Sequence, residues 1–407
     1  MILDSHDKRG SVTVFVCMFF LTMVSMIFAF INASRETAVR SSTETLCNLW
    51  AESILAEYDL NLQKRYNIFG FYGYPRDVTE KLDYYAAGSF NGKKYIDYGG
   101  SRCSLYDYSL VDVDLFEEQM IKAGKLALTE KFVKPEKEII KVKHIASSDE
   151  KDSGRQKLFD DLPSEGNQKS FSVSAAKEIL ENVSSMGDVW KEGSDSYFIN
   201  QYIFSYFKDA SDSRGLGKTF FSNEIEYIVC GKHSDIQNQK GIRNKIIAIR
   251  EGINLLCISR SPGMRAKVTA AAQLITPGPM AAATAVGLTA AWALAESSND
   301  YKLLLAGHKV PLVKGEKAWA TDLESVLKNQ EEDCIFTGID EGEGYNDYLR
   351  FFTYVMDSRV RTLRIMDLIQ INMRHLYYDS FLLREYNGGL QFVMKVNGVD
   401  HEMVKKY

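Results

Sequence analysis

Residues 11–31 read SVTVFVCMFFLTMVSMIFAFI, without one charged side chain, directly after Lys8, Arg9 and Gly10. As a helix rising about 1.5 Å per residue, this run covers the roughly 30 Å hydrocarbon layer of a bilayer. No later stretch competes with it. The run therefore predicts a membrane anchor at the N-terminus, with the remaining mass outside one face of the membrane. The rival reading is a secretory signal peptide cut after Ala33, since Ile31, Asn32 and Ala33 loosely resemble a cleavage site. Signal peptides carry apolar runs of about 7–15 residues, shorter than this one, so an uncleaved anchor is expected. Lys8 and Arg9 on one side nearly balance Arg35 and Arg40 on the other. The ten-residue side is the short one, which predicts a cytoplasmic N-terminus and an extracytoplasmic C-terminal domain.

Working outward, no glycine or proline occurs from Ser11 through Phe69. Proline costs about 3 kcal/mol inside a helix and glycine about 1, so their absence permits one continuous rod reaching roughly 50 Å beyond the bilayer. Cys47, Trp50, Ala51, Ile54, Leu55, Tyr58 and Leu62 recur at three- and four-residue steps, on one face expected to pack on the soluble domain. Glu44, Asn48, Glu52 and Asp59 lie opposite. The thinner 33–45 half is a candidate lateral interface with neighbouring transmembrane subunits.

The chain has 407 residues, more than one average core supports, so more than one folded body is expected. A net charge of −5 argues against a general nucleic-acid binder, which would show a basic surface. Six cysteines are scattered at 17, 47, 103, 230, 257 and 334, and none forms a C-x-x-C. Five lie outside the span, an odd number, so buried free thiols are expected and at most a minority can pair.

Residues 108–115 alternate as a half-exposed strand would, and 117–130 read as a helix. Residues 134–170 are polar, charged and almost without aromatics, which predicts a mobile insertion or linker. Helices are expected at 173–184, 197–209, 234–258, 266–275 and 280–297, and one or two amphipathic helices over 345–373. Residues 280–297 are apolar but rich in Ala, Thr and Gly, which predicts a buried helix rather than a second span. A strand is expected at 224–230. Residues 389–394 and the turn at Val396, Asn397 and Gly398 predict a terminal hairpin. The fold class is α+β, mostly helical. Its expected segments are a short cytoplasmic tail (1–10), a transmembrane helix (11–31), a stalk helix (32–69), a small α/β segment (70–133), the polar insertion (134–170) and a main α+β domain (171–407).

Several residue groups carry a resemblance. The run from Lys8 to Phe15 (KRGSVTVF), the apolar span, the run from Ala51 to Asp59 (AESILAEYD) and the run from Tyr66 to Phe71 (YNIFGF) look like the N-terminus of TadE/TadG-like proteins. More narrowly, they resemble the DUF5702 proteins of Gram-positive bacteria. The runs from Glu224 to Lys232 (EIEYIVCGK) and from Leu303 to Val313 (LLLAGHKVPLV) are similar to later blocks of that family. The resemblance implies association with tight-adherence (Flp-type) pilus assembly, and it supplies no catalytic residue. One departure bears on the role. Pilins cut after a glycine carry glutamate at the fifth mature position, which neutralises the amino terminus of a neighbouring subunit in the filament core. A cut after Gly10 would place Phe15 there. The span holds no acid, so an uncleaved, TadG-like accessory protein is expected rather than a major filament subunit.

Local motifs for chemistry are weak. Gly215, Leu216, Gly217, Lys218 and Thr219 look like the tail of a phosphate-binding loop, but Asp212 stands where the pattern needs glycine. A solvated loop is expected. Asp340, Glu341, Gly342, Glu343, Gly344, Tyr345, Asn346 and Asp347 cluster oxygen ligands, yet Gly342 sits where an EF-hand requires a ligand. An acidic turn before a helix, with Asn346 or Asp347 as its cap, is expected. His6, His144, His233, His308, His375 and His401 are far apart, and none forms an H-E-x-x-H or an i, i+4 pair. Tyr84, Tyr85, Tyr95, Tyr98 and Tyr106 suit either burial against the stalk or contacts with protein or glycan. No catalytic, cofactor-binding or metal-ligating residue is assigned, and no cofactor is expected. The expected function is that of a non-enzymatic single-pass envelope protein, an accessory component of pilus or secretion-apparatus assembly. Its expected partners are the membrane, other platform subunits and the cell wall. The alternative is a membrane-tethered enzyme acting on envelope polymers.

Overall fold

In the computed structural model, the described residues are 9–133, 157–166, 172–181, 183, 185–211, 217–328 and 334–407. The chain is α+β and mostly helical. It divides into two compact units. Unit 1 gathers residues 1–58, 70–109 and 385–407, and unit 2 holds 59–69 and 110–384.

Unit 1 begins with α1 (Arg9–Leu55), 47 residues long. Its first half is bare: from Val12 to Ile31 the large apolar side chains Phe15, Phe20, Phe28 and Phe30 are all more than 60 % exposed. Its last turns are covered. Cys47, Trp50, Ala51, Ile54 and Leu55 are buried with Val78, Leu82, Ala86 and Phe90 of α3 (Pro75–Phe90). The step of four along α3 puts those residues in one stripe. Against both helices lies an antiparallel sheet in the order β2 (Tyr98–Ser104), β4 (Gly389–Val396) and β5 (Val399–Lys406). The alternating Leu390, Phe392, Met394 and Val396 of β4 face this core. The β4–β5 turn is Asn397-Gly398, both at positive φ (52° and 80°), as a two-residue hairpin requires. Beside this sheet, β1 (Phe71–Tyr72) pairs with β3 (Tyr386–Asn387).

The expected rod stops short of Phe69, because α1 ends at Leu55. Asp59 adopts an extended conformation and its carboxylate accepts from the Asn61 and Leu62 amides, each at 2.8 Å, starting the separate helix α2 (Leu60–Tyr66). The strand expected at 108–115 is also replaced. A single 3₁₀ turn covers Tyr106–Tyr108. The Asp112 carboxylate then accepts from the Leu115 amide at 2.9 Å and opens α4 (Val113–Val133).

Unit 2 is built from α2, α4, α5 (Val173–Glu181), α6 (Asp195–Tyr206), α7 (Glu224–Cys230), α8 (Asp235–Arg260), α9 (Pro262–Ile275), α10 (Ala281–Leu305), α11 (Leu323–Leu327), α12 (Tyr345–Val355) and α13 (Ser358–Leu376). Every residue of α13 from Val360 to Arg374 is buried, so this helix runs through the centre of the unit. Helix α7 replaces the strand expected at 224–230. Residues 224–229 are buried on all sides, so no two- or 3.6-residue rhythm marks them, and Gly231 ends the helix at φ 63°. The polar stretch 134–170 falls mostly outside the described residues; within it, Leu162 is buried.

Candidate functional site

Two polar clusters lie inside unit 2. The first joins α8, α10 and the segment 306–322. Arg250 donates from Nε to Asp300 at 2.8 Å, and its Nη1 donates to the carbonyls of Pro311 and Leu312 at 2.8 and 2.9 Å. Lys314 bridges Asp300 and Glu296. Glu296 also accepts from the Thr321 amide and hydroxyl, each at 2.8 Å, and Asn254 donates to Ser297 and Asp300 at 3.0 and 3.1 Å. All four charged side chains are at least 98 % buried. Burial works against the Asp300 carboxylate, but Arg250 and Lys314 hold it below its ordinary range. Burial likewise opposes the Arg250 guanidinium, which Asp300 and Tyr348 keep above its usual value. Two cationic side chains face two carboxylates, and every one is hydrogen-bonded, which offsets the cost of burying them. It fixes the 306–322 segment to two helices and leaves no charged group open to a substrate.

The second cluster surrounds α7 and carries unbalanced acids. Glu224 accepts from the Lys208 amide at 3.0 Å and from Asn372 at 2.5 Å. Glu226 accepts from the Ala210 amide and the Tyr345 hydroxyl, each at 3.0 Å, while its Oε2 has no hydrogen-bond partner. Asp367 of α13 accepts from the Tyr227 hydroxyl at 3.0 Å and the Ser164 amide at 2.9 Å. Burial pushes Glu224 up to about 7. Burial and the neighbouring Asp209 push Glu226 up to about 8. Burial also raises Asp367 to about 6. Arg364 does not pair with these acids by hydrogen bond. Its Nη1 donates to the Ile228 and Val229 carbonyls, each at 2.9 Å, and so satisfies the end of α7. Gly231 is required beside it, since a Cβ there would meet the Arg364 Nε at 2.8 Å.

The residues singled out by sequence are committed to local structure. Gly217, Lys218 and Thr219 do not open a helix. The Gly217 carbonyl accepts from Lys208, that of Lys218 from Arg65 at 2.6 Å, and Thr219 donates its hydroxyl to the Phe221 carbonyl at 2.6 Å. Asp212, Gly215 and Leu216 lie outside the described residues. In the acidic turn, the cap of α12 is Gly344 rather than Asn346 or Asp347, and Asp347 accepts from the Gly344 amide at 2.8 Å. Asp340 accepts from the Lys309 amide at 2.7 Å, and Glu343 accepts from Ser185 and the Met186 amide at 2.8 Å. Gly342 has φ 105° and lies against Pro311, so closely that a Cβ would meet the Pro311 Cα at 2.6 Å. Among the described residues, no group of three His, Cys, Asp or Glu is placed to hold a metal ion.

His233 stacks on Phe159 and His308 on Phe336, each at 4.2 Å, and His401 is buried in β5. His375 packs edge-on to Phe220, while His6 and His144 lie outside the described residues. All six cysteines are free. Tyr84 and Tyr106 are 77 and 90 % exposed, whereas Tyr98 is half-buried and donates to Asp83. The charged interior was not anticipated from the sequence. The available signal was Glu296 and Asp300, an i, i+4 acid pair at the end of an Ala-rich helix, with Arg250 and Asn254 at the same spacing on α8.

A family model matches residues 127–398, two-thirds of the chain, and its description is DUF5702, a family of unknown function. The chain belongs to this family. The blocks beginning at Glu224 and Leu303 lie within the matched stretch, and those beginning at Lys8, Ala51 and Tyr66 lie before it. No curated protein and no solved structure matches the chain.

Proposed function

We propose that this chain is a non-enzymatic, single-pass protein of the cell envelope, working as an accessory, TadG-like component of tight-adherence pilus or secretion-apparatus assembly. The N-terminus is cytoplasmic and the folded mass extracytoplasmic. The observation that carries the anchoring part is α1. One helix is long and apolar enough to cross a membrane, and none of its apolar run is buried by the protein. Leaving the uncharged run 11–31 in water would cost roughly 25 cal/mol for each Å² of apolar surface, which a bilayer relieves.

Two further observations support the non-enzymatic reading. The buried carboxylates of α7, α10 and α13 are enclosed rather than set in a cleft, and the acidic turn spends its oxygens on backbone amides. The absence of an acid in the span supports an accessory role rather than a place in the filament core, where an unpaired amino terminus is costly. The pilus link comes from the resemblance of the N-terminal blocks. Affinity capture from detergent-solubilised membranes, read by mass spectrometry, tests it. Pilus or secretion-platform subunits should co-purify in stoichiometric amounts. Capture of the chain by itself, or turnover of an envelope polymer by the pure protein, would contradict the proposal.

A further inference from the structure

The first turns of α1 beyond the apolar run form one wall of a recess. Arg35, Ala38, Val39 and Ser42 follow the i, i+3, i+4, i+7 spacing of a single helical stripe, and Lys93, Tyr95 and Ile96 complete the lining. The volume is about 530 Å³, within the roughly 300–1,000 Å³ of small-ligand sites. The Arg35 guanidinium lies over the Tyr95 ring at 5.1 Å, a cation–π contact that orients the group and leaves its N–H edge for an acceptor. Among the described residues, neither Arg35 nor Lys93 has a carboxylate in ion-pair range. Arg40, by contrast, is paired with Glu44. Glu36 is outside the lining stripe.

Height decides what can enter. Arg35 is four residues past Ile31, about 6 Å along the helix. The headgroup layer extends roughly 5–7 Å beyond the hydrocarbon on each side. With the apolar run in a bilayer, two cations and a tyrosine therefore stand at the level of lipid phosphates, where aromatic side chains also concentrate.

We propose that this recess binds the phosphodiester headgroup of an anionic membrane lipid, with Arg35 and Lys93 as the cations that hold the phosphate. The inference rests on the anchored reading of α1. Arg35 takes the phosphate oxygens in a two-pronged hydrogen bond, Lys93 supplies a second charge from another element, and Val39 and Ile96 line the apolar side.

Native mass spectrometry of the full chain in neutral detergent tests this, with phosphatidylglycerol and phosphatidylcholine offered at equal amounts. Phosphatidylglycerol should bind preferentially. Arg35→Gln/Lys93→Gln should weaken that binding roughly 10- to 30-fold. Arg76→Gln/Lys64→Gln, which removes the same charge elsewhere, should leave it unchanged. Equal binding of the two lipids, or equal loss in both double variants, overturns the proposal. Displacement of phosphatidylglycerol by millimolar inorganic phosphate overturns the lipid as the source of the phosphate. A carbonate wash of the same membranes separates the two levels. Release of the wild-type chain removes the anchor and this inference together, whereas retention without lipid preference removes the inference alone.

Discussion

The two units bury different chemistry. In unit 1 the buried polar side chains among the described residues are Thr43, Asn387 and His401, and the core is Trp50, Ile54, Leu82, Phe90 and the inward row of β4. Unit 2 buries Glu224, Glu226, Arg250, Glu296, Asp300, Lys314, Arg361 and Asp367. A core of the first kind depends chiefly on packed volume. A core of the second kind depends on who faces whom. Where a cation matches an anion, as Arg250 does Asp300, the pair holds its charges. Where they do not, around Glu226, the carboxyl keeps its proton.

The sharpest way to break this contrast is Asp300→Asn, which leaves Arg250 and Lys314 facing one carboxylate in a dry site. A loss of about 3–5 kcal/mol is expected in urea unfolding of the detergent-solubilised chain. A loss under 1 kcal/mol would mean the cluster is solvated. In unit 1, Trp50→Ala should cost about 3–4 kcal/mol through the cavity it leaves. It should speed amide exchange in β4 while leaving α8 unchanged, and the effect should be the same at high salt. The third effect is pH dependence. Burial holds the proton on Glu226 up to about 8 in the folded chain, whereas the unfolded chain releases it near the ordinary glutamate value of 4.5. Between those values the folded state binds the extra proton, so its contribution is full below about 4.5 and lost as pH rises through 8. Thermal midpoints should fall across that window, and Glu226→Gln should flatten the slope. A slope of opposite sign would show that Glu226 is ionised in the fold. The smallest effect belongs to Leu49, 54 % exposed on the outer side of α1. Leu49→Ala should change stability by less than about 0.5 kcal/mol, beside the large loss at Trp50 one residue away.

Local rhythm made part of this readable. The helices expected at 234–258, 266–275 and 280–297 appear as α8, α9 and α10, and Asn397-Gly398 turns the terminal hairpin. The expected helices at 173–184 and 197–209 appear as α5 and α6. Rhythm failed where burial is complete, as in α7, because a segment covered on every side has no polar face to set its period. The end of α1 was missed for another reason. Absence of glycine and proline permits a helix but does not continue one, and Asp59 starts a new helix by capping. Unit 1 joins three stretches far apart in sequence, and the ion cluster joins α8 to a segment some sixty residues later. Such partners are chosen by tertiary packing, which leaves single charged residues no local mark.

That α1 holds this chain in a membrane is tested most directly by an alkaline carbonate wash of membranes carrying the full chain, followed by N-terminal sequencing of the retained protein. The prediction is retention in the pellet with the residues before Ser34 still attached. Release into the wash, or protein in the medium beginning at Ser34, would contradict it.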